Sequence, residues 1–286
     1  MGDYLRYFDL HCDTAYECYV KSQEFYVNQL VVNGKGTDLF DEWCQFFAIW
    51  VKDDKENPFS FYKSVFNDFK VKLSRSNNAP MPFFSVEGGA VLEGDLERLY
   101  ILKNDGIKLL TLTWNGENAL GGGCKSEKGL TDFGKSAIKL MNSLKIGCDL
   151  SHLNRKSFYS AVEFAEYPLA SHSNCRKLCD NPRNLDDEQI RLICEKNGII
   201  GLCFYPDFLG ENVFESLYQN IFYLCDKGYE NNIAIGSDFD GGVMNEQLDK
   251  VEKIPVLYDF LSRKGLNTAL LDKIFYKNAY NYIAKL

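Results

Sequence analysis

Short apolar runs recur along the chain and are separated by longer stretches with helical periodicity. Each run is rich in Val, Ile, Leu, Phe or Cys and is bounded by Gly, Pro, Asn or Asp, a pattern typical of buried β-strands. The runs predict eight strands, namely Tyr7–Asp13, Cys44–Val51, Met81–Glu87, Ile107–Trp114, Ile146–His152, Leu169–Asn174, Ile199–Tyr205 and Ile233–Asp238.

The stretches between these runs predict helices. Thr131 is the expected N-cap of one helix, because apolar residues then recur on a single face before Gly147. Asp186 or Asp187 is the expected N-cap of a second, which stops at Gly198. Further helices are predicted over Phe61–Leu73, Leu92–Asn104, Ser157–Glu166, Val213–Lys227, Ile254–Lys264 and Thr268–Leu286.

This alternation of eight strands with helices predicts an α/β fold, a (β/α)8 TIM barrel, formed by residues 1–286 as a single domain. No linker rich in Pro, Gly or Ser divides the chain. The competing arrangement is a doubly wound open sheet, which usually has a glycine-rich phosphate turn after its first strand. Here His-Cys-Asp ends that strand and no GxGxxG follows, so the barrel is favoured.

Composition excludes several classes of protein. With 45% apolar and 25% charged residues, the chain is not disordered. Its net charge of −8 repels phosphate backbones and anionic lipids, so neither nucleic acid nor a membrane is an expected partner. No apolar run approaches the roughly 20 residues of a membrane span. The start of the sequence lacks the apolar segment of a signal peptide. We therefore expect a soluble, cytoplasmic protein.

The ten cysteines fit the same location. Without an export signal, and in a chain long enough to bury a large core, they are expected to be reduced thiols and not disulfides. Cys175 and Cys179 are four positions apart and so do not form a CxxC pair.

Only three histidines occur in the chain, and each lies at or near the C-terminal end of a predicted strand. They are His11, His152 and His172, on the first, fifth and sixth strands. In a barrel the C-terminal ends of the strands form the rim that carries the active site. Their joint placement on this rim predicts a functional cluster, although each alone could be structural.

Three acidic residues end predicted strands in the same way. Asp13 is two positions from His11, and residues i and i+2 of a strand point to the same side. Asp238 ends the eighth strand in IGSDFDG. Glu87 directly follows Phe-Phe-Ser-Val, where a semi-buried acid needs a partner or a metal ion.

Histidines and carboxylates in these numbers indicate a metal site. Neutral imidazoles and carboxylates suit a divalent ion such as zinc. Three of each exceed what one tetrahedral ion needs and suit two ions that share a bridging carboxylate. Such a pair lowers the pKa of a bridging water and polarises a carbonyl, which is hydrolytic chemistry.

Six segments also carry a resemblance: FDLHCDT, SVEGG, LTLTWNGENALGGG, CDLSHL, ASHSNCRKLCDNPRN and IGSDFDGG. In this order and spacing the chain resembles the membrane dipeptidase (renal dipeptidase) family of the metal-dependent amidohydrolase superfamily, from residue 7 to the C-terminal helix. The resemblance implies a (β/α)8 barrel with two zinc ions at its mouth. His11 and Asp13 then bind the first ion and Glu87 bridges both. His152 and His172 bind the second.

The resemblance also implies roles in substrate binding and catalysis. Asp238 is expected beside the first zinc ion and the bridging water, as ligand or proton shuttle, with Asp240 the next candidate shuttle. Arg183 corresponds to an arginine that clamps the C-terminal carboxylate of the substrate, and Tyr205 to an aromatic residue that contacts it. Tyr16 is expected to line the pocket. The implied reaction is the hydrolysis of dipeptides by a metal-bridging hydroxide, including dipeptides with a C-terminal D-residue.

One position departs from the family. Trp114 stands where the mammalian members have a histidine that helps to polarise the scissile carbonyl, and an indole N–H is a donor only. Asn115 is a candidate replacement. Two alternatives therefore stay open: an amidohydrolase acting on another small amide, against which Arg183 argues, and a metal-binding homologue without catalysis.

The glycine-rich stretch Asn115–Gly129 follows the fourth predicted strand and is expected to be a mobile loop over the mouth of the site. Its Lys125 and Lys128 are expected to be solvated. The expected small-molecule partner is a dipeptide substrate, and a homodimer is left open beside the monomer.

Overall fold

The computed structural model describes residues 5–76 and 78–286, and its eight parallel strands close a barrel in chain order. The strands are β1 Arg6–Asp9, β2 Glu42–Trp50, β3 Met81–Glu87, β4 Ile107–Thr111, β5 Gly147–Asp149, β6 Pro168–Ala170, β7 Ile199–Leu202 and β8 Ile233–Ile235. Because β1 pairs in parallel with both β2 and β8, the ring has no free edge. The predicted (β/α)8 barrel is confirmed.

Helices follow the strands around the outside. The α-helices are α1 Thr14–Val20, α2 Pro58–Ser74, α3 Arg98–Asp105, α4 Asp132–Leu144, α5 Arg155–Phe164, α6 Asp187–Glu195, α7 Val213–Asp226, α8 Ile254–Arg263, α9 Thr268–Asp272 and α10 Asn278–Ile283. Both predicted N-caps are confirmed. The Thr131 hydroxyl accepts the Gly134 N–H at 3.0 Å, and Asp186 forms a capping box with Gln189.

Two helix predictions need correction, and one helix was missed. Leu92–Asn104 is not one helix, because Glu93 and Gly94 adopt positive φ angles of 46° and 76° that end a short 3-10 turn before α3 begins. The predicted helix Thr268–Leu286 is interrupted between α9 and α10 by a π-helical turn, Lys273–Lys277. Helix α1, directly after the first strand, was not predicted.

Most predicted strands extend too far at their C-terminal ends. β1 stops at Asp9 and not at Asp13, β5 at Asp149 and β8 at Ile235. Past these points the regular strands end, although single backbone hydrogen bonds continue, such as those of Cys12 with Phe46 and Ala48. His152 and Asp238 show this most clearly, with left-handed φ angles of 70° and 64°. Apolar sequence continues through these turns, so the pattern alone does not show where the ladder ends.

The core has two parts. One lies between the strands and the surrounding helices. The other fills the barrel interior and continues into the C-terminal segment, which covers the end of the barrel away from the site; it includes Phe8, Phe46, Leu109, Leu169, Tyr276 and Leu286. On the site side, the backbones of β7 and of the residue after β8 come very close to the residue after β6. A Cβ at Gly201 or Gly236 would collide with the Ser171 carbonyl, so only glycine fits there.

Candidate metal centre

The C-terminal rim of the barrel brings all six predicted ligands together. Glu87 is the last residue of β3. The other five follow the ends of β1, β5, β6 and β8 by two to four positions: His11, Asp13, His152, His172 and Asp238. All but Asp238 are at least 93% buried, and only 15% of the Asp238 side chain is accessible.

His11 faces three carboxylates in one half of the cluster. Its Nε2 lies 3.4 Å from Oδ2 of Asp13 and 3.7 Å from Oδ1 of Asp238. The same nitrogen is 3.7 Å from Oε2 of Glu87. It is buried and has no hydrogen-bond partner among the described residues, so its lone pair or proton is left without a fixed contact. Asp13 faces this cluster from the N-cap of α1, not from a strand as predicted.

The other two histidines form the second half of the cluster. Nε2 of His152 lies 2.7 Å from Oε1 of Glu87 and 2.8 Å from Nε2 of His172. Nε2 of His172 is 3.7 Å from the same Glu87 oxygen. Glu87 therefore has one oxygen toward each half, Oε2 toward His11 and Oε1 toward the other two rings. This is the placement that a carboxylate shared between two ions requires.

Burial sets the charge states of these groups. Burial, followed by the charges of Arg183 and His11, holds the pKa of both His152 and His172 well below the usual value, so these two rings are neutral and suited to bind a metal ion. Burial also lowers the pKa of His11, but the carboxylates of Glu87, Asp13 and Asp238 outweigh that effect and raise it to about 10.

The buried carboxylates indicate a site that binds a cation. Burial raises the pKa of Glu87 and of Asp13, and raises that of Asp238 to about 7. Three acids in one buried cluster repel each other and resist ionisation unless a cation compensates them. Together with three imidazole nitrogens directed at the same space, this donor set fits divalent metal ions of the zinc type.

Asp240 differs from Asp238, although the two are only two positions apart. Its Oδ1 accepts the Val31 N–H at 2.7 Å. Its Oδ2 accepts the Thr14 hydroxyl at 2.6 Å and the Val32 N–H at 3.3 Å. With both oxygens engaged, Asp240 anchors the segment around Val31 and has little capacity to move a proton.

A cavity of about 470 Å³ opens onto the centre. All three predicted substrate-binding residues line it: Arg183, Tyr205 and Tyr16. Arg183 is 93% buried, and its Nη2 donates to the His172 carbonyl at 3.4 Å. Its guanidinium lies 5.3 Å from the centroid of the Phe208 ring, and its Nε has no partner among the described residues.

Trp114 is part of the cavity wall and is only partly buried. Its ring lies 5.1 Å from that of Trp50 and 6.3 Å from His152. The neighbouring Asn115 also lines the cavity, and its Oδ1 is already engaged by His152 Nδ1 at 2.8 Å and by the Cys124 thiol at 3.1 Å.

The glycine-rich segment after Trp114 is tied down more than the sequence suggests. Asp53 accepts the N–H groups of Trp114 and Gly116, at 3.1 and 2.8 Å, and the Asn118 side-chain amide at 3.0 Å. Lys128 donates to the Asn118 carbonyl at 2.8 Å, so the expectation that it is simply solvated is wrong. Lys125 is exposed and borders the cavity.

Sequence reasoning missed two buried acids that support the centre. Asp9 and Asp149 are the last residues of β1 and β5, and each accepts hydrogen bonds from a serine of a neighbouring strand end. Those serines, Ser237 and Ser171, directly precede Asp238 and His172 in the chain. The sequence does carry a sign of these buried acids, because each interrupts an apolar run just before a histidine, in YFDLH and GCDLSH.

A sequence model of the membrane dipeptidase family, peptidase family M19, matches residues 48–285. An uncharacterized protein encoded in the pqqA 5′ region of Klebsiella pneumoniae is 32% identical over 209 residues, 68% of this chain and 77% of that protein. An uncharacterized dipeptidase of Schizosaccharomyces pombe is 28% identical over 220 residues, 73% of this chain. The match spans about half of the yeast protein, 54% of its length.

Solved structures share the fold. A metallopeptidase from Rhodobacter sphaeroides, crystallised with a phosphinate mimic of the dipeptide L-Ala-D-Ala, superposes with a TM-score of 0.89 over 99% of both chains, at 21% sequence identity. The probable dipeptidase PvdM of Pseudomonas aeruginosa superposes with a TM-score of 0.84 at 16% identity, over 98% of this chain and 95% of that one.

Proposed function

The chain belongs to the membrane dipeptidase family of metal-dependent peptide hydrolases, and we propose that it is a dipeptidase with two zinc ions in its active site. The observation that carries this proposal is the position of Glu87, which has one carboxylate oxygen toward His11 and the other toward His152 and His172. A single ion would not need both oxygens of a buried acid directed to separate sets of ligands.

The chain's own residues divide into two ligand sets. His11, Asp13 and Glu87 would hold one ion, and Glu87, His152 and His172 would hold the other. When bound, the two ions lower the pKa of a shared water and polarise the scissile carbonyl. The neutral state of His152 and His172 supports their role, because a protonated imidazole cannot bind a metal ion.

Asp238 is the proton carrier of the reaction. Its carboxylate lies beside His11 and lines the cavity, and among the residues that the structure describes its one hydrogen-bond donor is the Cys203 thiol, at 3.6 Å. It therefore has a free oxygen on which to accept the proton of the attacking water. The same oxygen returns the proton to the leaving nitrogen, so that the amine departs in neutral form.

Arg183 binds the free carboxylate of the substrate. Its guanidinium is buried at the cavity wall, with Nε unpartnered, and a buried cation of this kind stabilises an anion strongly. Tyr205 lines the same cavity and Tyr16 contributes to its wall. Because bound ions would hold the scissile bond and Arg183 the terminal carboxylate, we expect a C-terminal D-residue to be accepted as well as an L-residue.

A second candidate function is the hydrolysis of another small amide that lacks a free carboxylate. The observation behind it is Trp114, which lines the cavity where the family resemblance implies a histidine, so that the substrate range can differ. Under this alternative Arg183 has no anion to bind, and the two functions can be separated by the substrates that the protein accepts.

The test compares dipeptides with their C-terminal amides. We expect zinc-loaded protein to hydrolyse dipeptides, including Ala-D-Ala, and to act poorly on the amides. Arg183→Ala should lower kcat/KM for dipeptides on the order of 10²-fold, since it leaves the substrate carboxylate unpaired. Arg183→Lys should recover only part of the loss, because it keeps the charge and loses the planar fork.

Arg176→Ala is the matched control, because Arg176 lies in the same segment, is partly exposed and, within the described part of the chain, pairs only with Asp180. It should leave kcat and KM unchanged. Equal hydrolysis of dipeptides and their amides would contradict the dipeptidase proposal and favour the second candidate.

Location and assembly stay predictions from the sequence. We propose a cytoplasmic location because all ten cysteines, which lie within the described residues, are free thiols, and disulfides are rare in reducing compartments. Among the described residues, no helix is both long and apolar enough to traverse a bilayer. The homodimer is likewise a prediction.

A further inference from the structure

Asp149, the last residue of β5, is a buried carboxylate outside the proposed ligand set. Its Oδ1 accepts the N–H groups of Ser151 at 3.1 Å and Ser171 at 3.0 Å. Its Oδ2 accepts the hydroxyls of Thr111 at 2.7 Å and Ser171 at 2.6 Å. Four hydrogen bonds are donated to the two oxygens of this one side chain, which accepts in every one of them, so the hydroxyl proton of Ser171 is committed to Asp149.

The Ser171 hydroxyl also contacts the ring of His172. Its Oγ lies 2.7 Å from Nδ1 of His172. A serine hydroxyl has one proton, and here that proton is donated to Asp149, so Oγ can only accept from the ring. Nδ1 of His172 therefore carries the ring proton, and Nε2 keeps its lone pair. Nε2 is the nitrogen that faces His152 and Glu87.

We propose that Asp149 and Ser171 are positioning residues, which hold His172 in the tautomer whose Nε2 can bind zinc. Metal-binding histidines generally donate their second ring proton to an acceptor, which fixes the tautomer and the ring orientation. Here a serine transmits the effect of a carboxylate that does not itself touch the ring. This inference rests on the proposed function, since the tautomer matters to activity only if His172 binds an ion.

A similar arrangement elsewhere on the rim lacks this effect. Asp9 accepts the Ser237 N–H at 2.8 Å and its hydroxyl at 2.6 Å, as Asp149 does with Ser171. Ser237 precedes Asp238, which has no ring proton to place. Both serine–aspartate pairs fix a strand end, and only the Ser171 pair also selects a histidine tautomer.

The chain offers a matched control for Ser171. Ser173 lies on the other side of His172 in the sequence and is fully buried, and its hydroxyl has no hydrogen-bond partner among the described residues. Ser171→Ala and Ser173→Ala thus remove the same atom from the two neighbours of one histidine. Only the first removes a contact to the imidazole.

The first test reads the tautomer directly in metal-free protein. With ¹⁵N-labelled histidine, long-range ¹H–¹⁵N NMR distinguishes the protonated ring nitrogen from the bare one, and loss of signals in His172→Gln assigns the ring. We expect the His172 proton on Nδ1 in wild type and Ser173→Ala, and a shift of population toward Nε2 in Ser171→Ala. A wild-type proton on Nε2 would overturn the inference, whether or not Ser171→Ala folds.

The second test measures zinc affinity by competition with a chromophoric chelator. Ser171→Ala should bind one of its two zinc ions 10- to 100-fold more weakly than wild type, the usual effect of removing such a partner. Ser173→Ala should match wild type. Wild-type affinity for both ions in Ser171→Ala would refute the positioning role. Wild-type protein that binds no zinc would instead refute the proposed function, and the NMR result would then decide the tautomer alone.

Discussion

Hydrogen-bond donors decide what each acid at the rim can do. Asp238 and Asp240 share one short segment, and both have left-handed φ angles, of 64° and 67°. Three donors occupy the oxygens of Asp240, whereas the thiol of Cys203 is the donor to Asp238. Asp240 is therefore structural, and Asp238 keeps the freedom to exchange a proton in the cavity.

Replacement of Asp238 by asparagine should abolish most turnover without loss of bound zinc. An amide cannot accept the proton of the attacking water, so kcat should fall on the order of 10²–10⁴-fold. The ligand sets built on Glu87 are untouched, so zinc bound per chain should stay near the wild-type value. Steady-state kinetics with elemental analysis of the same sample checks both. Turnover close to wild type in the metal-loaded variant would place the proton carrier elsewhere.

The sequence predicted the six candidate ligands because each stands at the end of an apolar run. It could not predict Asp149, Ser171 or Asn115 as supports, since their role depends on which side chains of separate strand ends touch. The alternation of side chains along one strand predicts that His11 and Asp13 point to the same side, but β1 ends at Asp9, before both of them. Both still face the centre, through the turn into α1.

The loop after β2 organises the glycine-rich segment after β4. Asp53 holds the turn that begins at Trp114 by three hydrogen bonds, and this turn forms part of the cavity wall. The sequence of the segment predicts flexibility, because glycine lacks intrinsic restraint. The restraint comes from a carboxylate about sixty positions earlier, which local patterns do not reveal.

Asp53→Ala should loosen this segment and weaken substrate binding. It removes three hydrogen bonds to a charged acceptor, so the free energy of unfolding should fall by about 2–4 kcal/mol. KM should rise several-fold, and limited proteolysis should cut within residues 115–129 faster than in wild type. Asp54→Ala is the control, because the Asp54 side chain is 73% exposed and, of the residues described, pairs with Lys52 alone. Equal cleavage rates in the two variants would contradict this role of Asp53.

The barrel as a whole brings together residues that are far apart in the chain. The C-terminal segment packs against the barrel interior, and Arg6 pairs with Asp272 at 2.7 Å. Since the first strand and the last helices thus depend on each other, we propose one domain for the whole chain.

The alternation of apolar runs and helical stretches predicted the barrel well, because eight strands with helices between them have few other closed arrangements. It could not give the strand ends, the interrupted helices or the contacts across the rim.

The most direct test of a two-zinc dipeptidase is a titration of metal-free protein with zinc, in which the rate of dipeptide hydrolysis and the amount of bound metal are measured in parallel. We predict no hydrolysis in the presence of chelator, and activity that rises with added zinc and saturates near two ions per chain. The titration uses the wild-type protein. In the Glu87→Gln variant the neutral amide cannot bridge two cations, so this variant should bind fewer zinc ions and stay inactive. Dipeptide hydrolysis that is equally fast in chelator, or saturation of the chain with zinc without any hydrolysis, would contradict the account.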